Sequence, residues 1–308
     1  MQVGKNVGKR AAIPVAIAAY STCSMLLLIV NKVAISLTRQ PSLVLLCQLS
    51  STPAIIRALS CAHIITLERV TFSQARSYFL VAIAFLAALY TNARTLQYAN
   101  VETFIVFRSS TPILISVLDF IFLGRELPNL SSSVSLGTML LGSLAYVYTD
   151  SNFEVRAYGW VSAWYVVFAI DQVYIKYVVD SVELSVWGRS YITNLLACIP
   201  LFVVFLCTEG LGSLMTIYWD AATMASVIVS CLIGVAMSFS AFSLRGLVSA
   251  TTFTVVGTLC KIGTVIVNCL MWDNHASAPG IAALLVCIFA GTFYKQAPLR
   301  SSRFASSS

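Results

Sequence analysis

Apolar runs, each close to the roughly 20 residues that span a bilayer, recur along this chain with little polar sequence between them. About ten can be marked, at roughly 12–37, 41–63, 77–97, 101–123, 132–149, 156–178, 186–208, 222–245, 248–271 and 278–295. Lipid offers no partner to a bare N–H or C=O, so a spanning chain is either helical or a closed barrel. A barrel strand needs only about 9–11 residues, and these runs are twice that length. The expected fold is therefore an all-α membrane protein of ten transmembrane helices. Charge supports this. Only 10% of the residues are Asp, Glu, Lys or Arg, against about 25% in a soluble domain. No cleavable leader is expected, because the first run, after MQVGKNVGKR, is too long for one.

The nine cysteines (Cys23, Cys47, Cys61, Cys198, Cys207, Cys231, Cys260, Cys269 and Cys287) lie within or at the ends of the runs. None forms a CxxC pair or a Cys/His ligand spacing, so they read as small packing residues. No metal and no cofactor is expected. Nucleic acid is excluded as a partner, since no basic cluster with interleaved aromatics lies outside the runs. Catalytic residues are not expected either. His63 and His275 both lie near span ends, and no HExxH, GxSxG or paired-carboxylate pattern occurs.

Ten spans place both termini on one side. Lys5, Lys9, Arg10, Arg69, Arg76, Arg125, Arg245, Lys295, Arg300 and Arg303 fall on that side, and Arg39 and Arg156 on the other. The positive-inside rule then puts both termini in the cytosol. The sequon Asn129-Leu130-Ser131 falls on the same face and is expected to be unmodified.

VETFIV (101–106) and ATTFTV (250–255) open the fourth and ninth spans. Thr103-Phe104 aligns with Thr252-Phe253, and each motif is followed by a basic or polar interruption. A separation of five spans reverses orientation. Two five-helix repeats, 1–150 and 151–308, would then form an inverted repeat, the plan of transporters that bind substrate near the midplane.

Lys32, Arg94, Arg108 and Lys261 cannot be placed in loops. A charge at the centre of a span costs about 2.5–3.5 kcal/mol on insertion scales. Lys32 and Arg94, near lumenal span ends, have snorkelling as an equal alternative. Lys261 has less scope for it. It lies about 20 Å into its span at 1.5 Å per residue. Acids within spans are few: Glu102, Asp119 and Asp171. An excess of cations remains, and a phosphate-bearing ligand would balance it. Gly257 and Gly263 leave the backbone near Lys261 open to a ligand or, equally, to a neighbouring helix. Asn194, about two turns into the seventh span, suits either a nucleobase or another helix.

Several stretches carry a family resemblance: IVNKVAIS (29–36), YTNARTLQY (90–98), VETFIVFRSSTP (101–112), WGRSYITNLL (187–196), SATTFTVVGTLCK (249–261), MWDNHAS (271–277) and AGTFYKQAP (290–298). The chain resembles the nucleotide-sugar transporters of the drug/metabolite transporter superfamily, in the GDP-mannose/GDP-fucose branch. The resemblance implies a five-plus-five inverted repeat in the Golgi membrane. It also implies antiport of a cytosolic GDP-sugar, such as GDP-fucose or GDP-mannose, against lumenal GMP. A GALNK-like motif of the ninth helix handles the sugar-diphosphate end in that branch. Here it reads Gly257-Thr258-Leu259-Cys260-Lys261, with cysteine in place of asparagine. An FYNN-like motif of the seventh helix contacts guanine. Here it reads Tyr191-Ile192-Thr193-Asn194, with one asparagine lost.

The substrate-binding set so implied is Lys261, Gly257, Thr258, Cys260, Arg108, Arg94, Lys32, Tyr191, Thr193, Asn194, Phe104 and Phe253. Lys261 and Arg108 would hold phosphates, Lys32 and Arg94 would guide anions at the lumenal mouth, and the aromatics would line the cavity. Two alternatives stay open: exchange of another nucleotide sugar or a smaller phosphorylated metabolite, and a non-transporting membrane scaffold, which leaves the four bases unexplained. Monomer and homodimer are equally compatible with the sequence.

Overall fold

The structure is a computed structural model describing residues 2–98, 101–149, 157–271 and 278–300. The side chains of 2–11, 93–94, 96–98, 101–106, 146–149, 157–158, 264–271, 278, 280–281 and 284 lie outside the described set. The helices follow the apolar runs. They are α1 (Gln2–Thr38), α2 (Pro41–Cys61), α3 (Phe72–Tyr98), α4 (Val101–Phe122), α5 (Leu130–Thr149), α6 (Ala157–Ser181), α7 (Val186–Thr208), α8 (Ala221–Leu247), α9 (Ala250–Met271) and α10 (Ala278–Thr292). A short 3-10 turn, Leu211–Met215, precedes α8. No strand forms among the described residues, which hold an isolated bridge between Arg125 and Leu299.

Local chemistry explains where the helices begin. α3 starts earlier than the apolar run because Thr71 and Gln74 form a capping box. The Thr71 N–H donates to Gln74 Oε1 at 2.9 Å, and the Gln74 N–H to Thr71 Oγ1 at 3.4 Å. Asn129 of the sequon caps α5, accepting from the Ser132 N–H at 2.9 Å. Ser185 caps α7 through the Gly188 N–H at 3.1 Å. α1 and α2 end at Arg39 and His63, whose φ angles of 56° and 57° are left-handed helix stops.

Five helices are long and apolar enough to cross a membrane among the described residues: Ala12–Thr38, Pro41–Cys61, Phe72–Asn92, Val186–Thr208 and Ala221–Leu247. α6 differs because it carries Asp171, Lys176 and Asp180. Apolar side chains point outward along several helices. Val15, Leu141, Ile199 and Phe289 are 70%, 66%, 65% and 67% exposed. Such faces suit acyl chains rather than water, and the chain is a multi-pass membrane protein.

The helices sort into two compact units. One comprises Met1–Ala87 with Val178–Leu247, the other Ala88–Tyr177 with Val248–Ser308. The sequence divides at 150/151 into candidate repeats, whereas each packing unit draws helices from both sides of that point.

In the first unit α1 packs on α8, and α2 on α7 and α8. Three helices share a buried polar lock. Gln48 of α2 donates to Asn31 Oδ1 of α1 at 2.5 Å and to Ser230 of α8, and Ser230 donates to Asn31 at 2.8 Å. Gly234 leaves room for the Gln48 stem, which would lie 3.5 Å from an added Cβ. Two carboxylates cap partner helices reciprocally. Glu209, just after α7, accepts from the N–H groups of Ser42 and Leu43 at the start of α2 (2.7 and 3.0 Å). Glu68, after α2, accepts from the Ser185 N–H at the start of α7 (2.8 Å).

In the second unit α5 packs on α10, and α4 on α5 and α9. Small residues line the α5–α10 seam, as is usual where lipid supplies no hydrophobic drive. Ser135 donates to the Ala290 carbonyl at 2.6 Å, and the Cys287 thiol to the Met139 carbonyl at 3.2 Å. The stretch after α10 runs back along the α4–α5 turn. The Glu126 N–H donates to the Pro298 carbonyl at 3.0 Å, and the Arg300 N–H to the Gly124 carbonyl at 2.8 Å. Gly124, with φ +63°, makes that turn.

A Cβ on Gly142 would lie 2.6 Å from Cys287 Sγ and 3.1 Å from the Ala283 carbonyl oxygen, whereas one on Gly137 meets nothing within 4 Å. Gly142→Ala is therefore expected to cost about 1–3 kcal/mol through overpacking. Gly137→Ala should be close to neutral. Thermal unfolding of the two variants in detergent checks the contrast.

Candidate functional site

Lys261 and Arg108 meet on the α4–α9 pair of the second unit. The meeting begins with a proline. Pro112 inside α4 has no N–H to offer the carbonyl four residues back, which is that of Arg108. Two threonine hydroxyls serve that carbonyl instead. Thr111 Oγ1 donates to it at 2.6 Å from within α4, and Thr258 Oγ1 reaches it at 3.5 Å from α9. Thr258 is 1% exposed, so its hydroxyl is committed to this contact between helices.

Lys261 follows Thr258 by one helical turn. It is half-buried, and it forms no hydrogen bond or ion pair among the described residues. The Arg108 guanidinium is near enough to act on it as a like charge. Arg108 also lies over the Phe168 ring of α6, its Cζ 5.3 Å from the centroid, a cation–π contact. A Cβ on Gly263 would meet open space. Gly257, Cys260 and Phe253 are buried in α9. Lys261, with no protein anion bonded to it among the described residues and a second cation on the packed neighbouring helix, leaves charge to spare for an anionic ligand.

The other expected residues are placed as follows. Lys32 lies on the exposed side of α1, in the first unit. Tyr191, Thr193 and Asn194 lie on α7 of that unit. α7 is a continuous helix, so Tyr191 and Asn194 share a face while Thr193 points away, about 200° round from Tyr191. Both amide hydrogens of Asn194 are used within the unit, donated to the Ser190 carbonyl at 2.7 Å and to Ser238 Oγ of α8 at 2.8 Å. Its Oδ1 makes no hydrogen bond among the described residues. The Thr193 hydroxyl is buried without a partner among the described residues. The side chains of Arg94 and Phe104 lie outside the described residues.

Other charged groups went unread as helix residues. Arg245 is not in a loop. It is buried in the last turn of α8, where the helix dipole favours a cation. Arg189 of α7 donates to the Val179 and Val182 carbonyls at the end of α6, at 2.8 and 3.3 Å. Lys176 of α6 is 4% exposed. Its position five residues after Asp171 was the signal available for it.

No protein-family model matches the chain. Curated relatives do match. The chain is 36% identical over 288 residues to GDP-fucose transporter 1 of Arabidopsis thaliana, covering 90% of this chain and 83% of that one. It is 36% identical over 291 residues to the GDP-mannose transporter GONST3 of the same plant, covering 92% and 78%. A GDP-mannose transporter of Komagataella pastoris is 25% identical over 308 residues, covering 91% and 89%. A solved crystal structure, described only as that of a protein, aligns with 92% of this chain and 96% of its own at a TM-score of 0.70. Its identity is 11%, so that likeness concerns the fold alone.

The Asn194 bonds yield a stability test. Ser238→Ala removes one interhelical hydrogen bond and is expected to cost about 0.6 kcal/mol, as is average inside membranes. Asn194→Leu removes both and is expected to lower the unfolding midpoint further. A calorimetric or fluorescence melt in detergent reads both.

Proposed function

The chain belongs to the GDP-sugar transporters of the nucleotide-sugar transporter family, and on that premise we propose that it exchanges a cytosolic GDP-sugar for lumenal GMP across the Golgi membrane. The observation that carries this reading is Lys261. It is a half-buried ammonium inside a helix, beside Arg108, with no bonded protein anion among the described residues. The phosphates of the nucleotide supply the missing charge. Arg108 suits them because a guanidinium can grip two phosphate oxygens at once, while Lys261 acts as a point charge.

The first unit carries nucleobase chemistry of its own on α7. Asn194 Oδ1 remains open to a donor, and Tyr191 lies on the same face. Thr193, on another face of the helix, stands apart from that pair. Lys32 and Arg94 raise the local concentration of anions at the lumenal mouth.

An exchange mechanism follows from charge. The sugar diphosphate brings about two negative charges, one on each of its two esterified phosphoryl groups, and the monophosphate, a phosphate monoester, about −1.5 to −2 at pH 7. One cationic site therefore serves both. An empty site would leave the Lys261 ammonium with no bonded anion among the described residues, which is costly to enclose. The loaded protein changes its accessible side more readily than the empty one, and that couples the two fluxes.

Support for a five-plus-five inverted repeat comes from pairing. α2 packs with α7, α4 with α9 and α5 with α10, each five helices apart. The reciprocal caps of Glu68 and Glu209 have the same sense: an acid beyond the end of each helix caps the start of its counterpart.

Proteoliposomes preloaded with GMP test the function directly. Uptake of GDP-fucose or GDP-mannose should depend on the internal GMP. Lys261→Ala should reduce it by about tenfold or more, the loss of one charge-assisted contact of roughly 1.5–3 kcal/mol. Uptake by Lys261→Ala at the parent rate would sink the phosphate role. A thermal-shift screen with GMP, UMP, CMP, AMP and small sugar phosphates reads selectivity. Ligand at 100 times its Kd gives about 2.7 kcal/mol of stabilisation. Stabilisation by the small sugar phosphates alone would favour a smaller metabolite.

A further inference from the structure

α9 carries Lys261, and its first turn is bound to the far end of α4. Asp119, 2% exposed, accepts from the Thr251 N–H at 3.0 Å and from the Thr251 hydroxyl at 2.6 Å, both through Oδ2. A carboxylate from a different helix thus adds to the local N-cap, which is Ser249. Ser249 and Gln296 complete the clamp. Ser249 Oγ accepts from the Thr252 N–H at 3.0 Å, and Gln296 Oε1 accepts from the Ser249 N–H at 3.0 Å.

The two helices are joined C-terminal end to N-terminal end at this clamp, so they run antiparallel from it. Arg108 precedes Asp119 by eleven residues on α4, and Lys261 follows Thr251 by ten on α9. At 1.5 Å per residue these lie about 16.5 and 15 Å from the clamp. The two cations are therefore at one level because the Asp119–Thr251 tie sets the register. A slip of one residue would move Lys261 by about 1.5 Å and turn it through about 100°. The upper tie, from Thr258 to the Arg108 carbonyl, is 3.5 Å long and cannot hold the register as firmly.

We propose that Asp119 is a positioning residue for the transported anion: by holding Thr251 it fixes α9 against α4 and so keeps Lys261 level with Arg108. This rests on the phosphate role of Lys261 proposed above. Asp119 itself lies about ten residues from that level and touches no ligand. Its part is to make the pair of cations a single site rather than two separated charges.

The test is a double-mutant cycle in the full-length protein, read as GDP-mannose or GDP-fucose uptake into GMP-loaded proteoliposomes and as GMP affinity by thermal shift in detergent. The wild type and Lys261→Ala are measured first. A wild type that binds no nucleotide, or a Lys261→Ala variant equal to it, overturns the site reading and this inference together. Given a working site, Asp119→Ala should raise the KM for the GDP-sugar by roughly tenfold, and the Lys261→Ala background should erase most of that effect, as for coupled residues. Asp119→Asn, which keeps an acceptor for the Thr251 N–H, should recover much of the affinity. Thr251→Ser should match the wild type and Thr251→Val should not. Additive losses in the cycle, or an unchanged KM in an Asp119→Ala variant that folds, would overturn the inference. An Asp119→Ala variant that fails to fold leaves the decision to Asp119→Asn and Thr251→Val, whose KM values unchanged from the wild type would overturn it equally.

Discussion

A lysine placed well inside α9, with an arginine on the helix packed against it, is the constraint around which the second unit is arranged. Insertion alone costs about 2.5–3.5 kcal/mol for such a charge, and a like-charged neighbour adds to it. Two alternatives would relieve the cost: a protein carboxylate at bonding distance, or a route for the side chain to water. Asp119 supplies the first of these elsewhere, on the Thr251 end of α9. That use of Asp119 leaves the Lys261 ammonium without a bonded protein anion among the described residues. In the proposed function, placing the acid at the helix end rather than beside the lysine is what leaves that charge for the transported anion.

Helix ends present the same demand throughout the chain. Each helix starts with N–H groups that lack intrahelical partners; Thr71, Asn129, Ser185 and Ser249 serve their own helices, and carboxylates and amides from other elements add to them at α2, α7 and α9. Glu209 serves α2, Glu68 serves α7, and Asp119 with Gln296 serves α9. Acids are few in this chain, 12 of Asp and Glu together, and several are spent on caps. That scarcity strengthens the case that the basic excess within the helices is meant for a ligand.

The helices themselves were legible in the sequence, because a run of about 20 apolar residues has one solution in lipid. Their order, and the breaks at Pro41 and Pro128, follow from the same signal. Lys261 and Arg108 stood out because charge is conspicuous against an apolar background. Asp119 did not reveal its role. It was visible only as a candidate acid near a span end, and its partner Thr251 is 132 residues away. Lys176, Arg189 and Arg245 were also missed within helices, since a base near a span end looks like a loop residue until the helix is seen to continue past it. Asn194 shows the opposite limit. Its chemistry suited a base and a helix equally, and only the position of Ser238 shows that both its donors are used at home.

The short internal match puts Arg108 against Gly257 and Pro112 against Lys261. Equivalent places in the proposed repeats therefore hold different chemistry. On α4 the proline strands the Arg108 carbonyl, and the residue before it, Thr111, is needed to satisfy that carbonyl. On α9 the corresponding residue is Lys261, whose N–H is available to the Gly257 carbonyl in the ordinary helical way. At Cys260, the counterpart of Thr111, no proline strands a carbonyl for the side chain to serve. A thiol, weak as a donor, is enough there. Position 111 is thus held by the carbonyl that the proline strands, while no such demand is set at position 260. Substitution is accordingly less constrained by the local backbone at position 260 on α9 than at position 111 on α4.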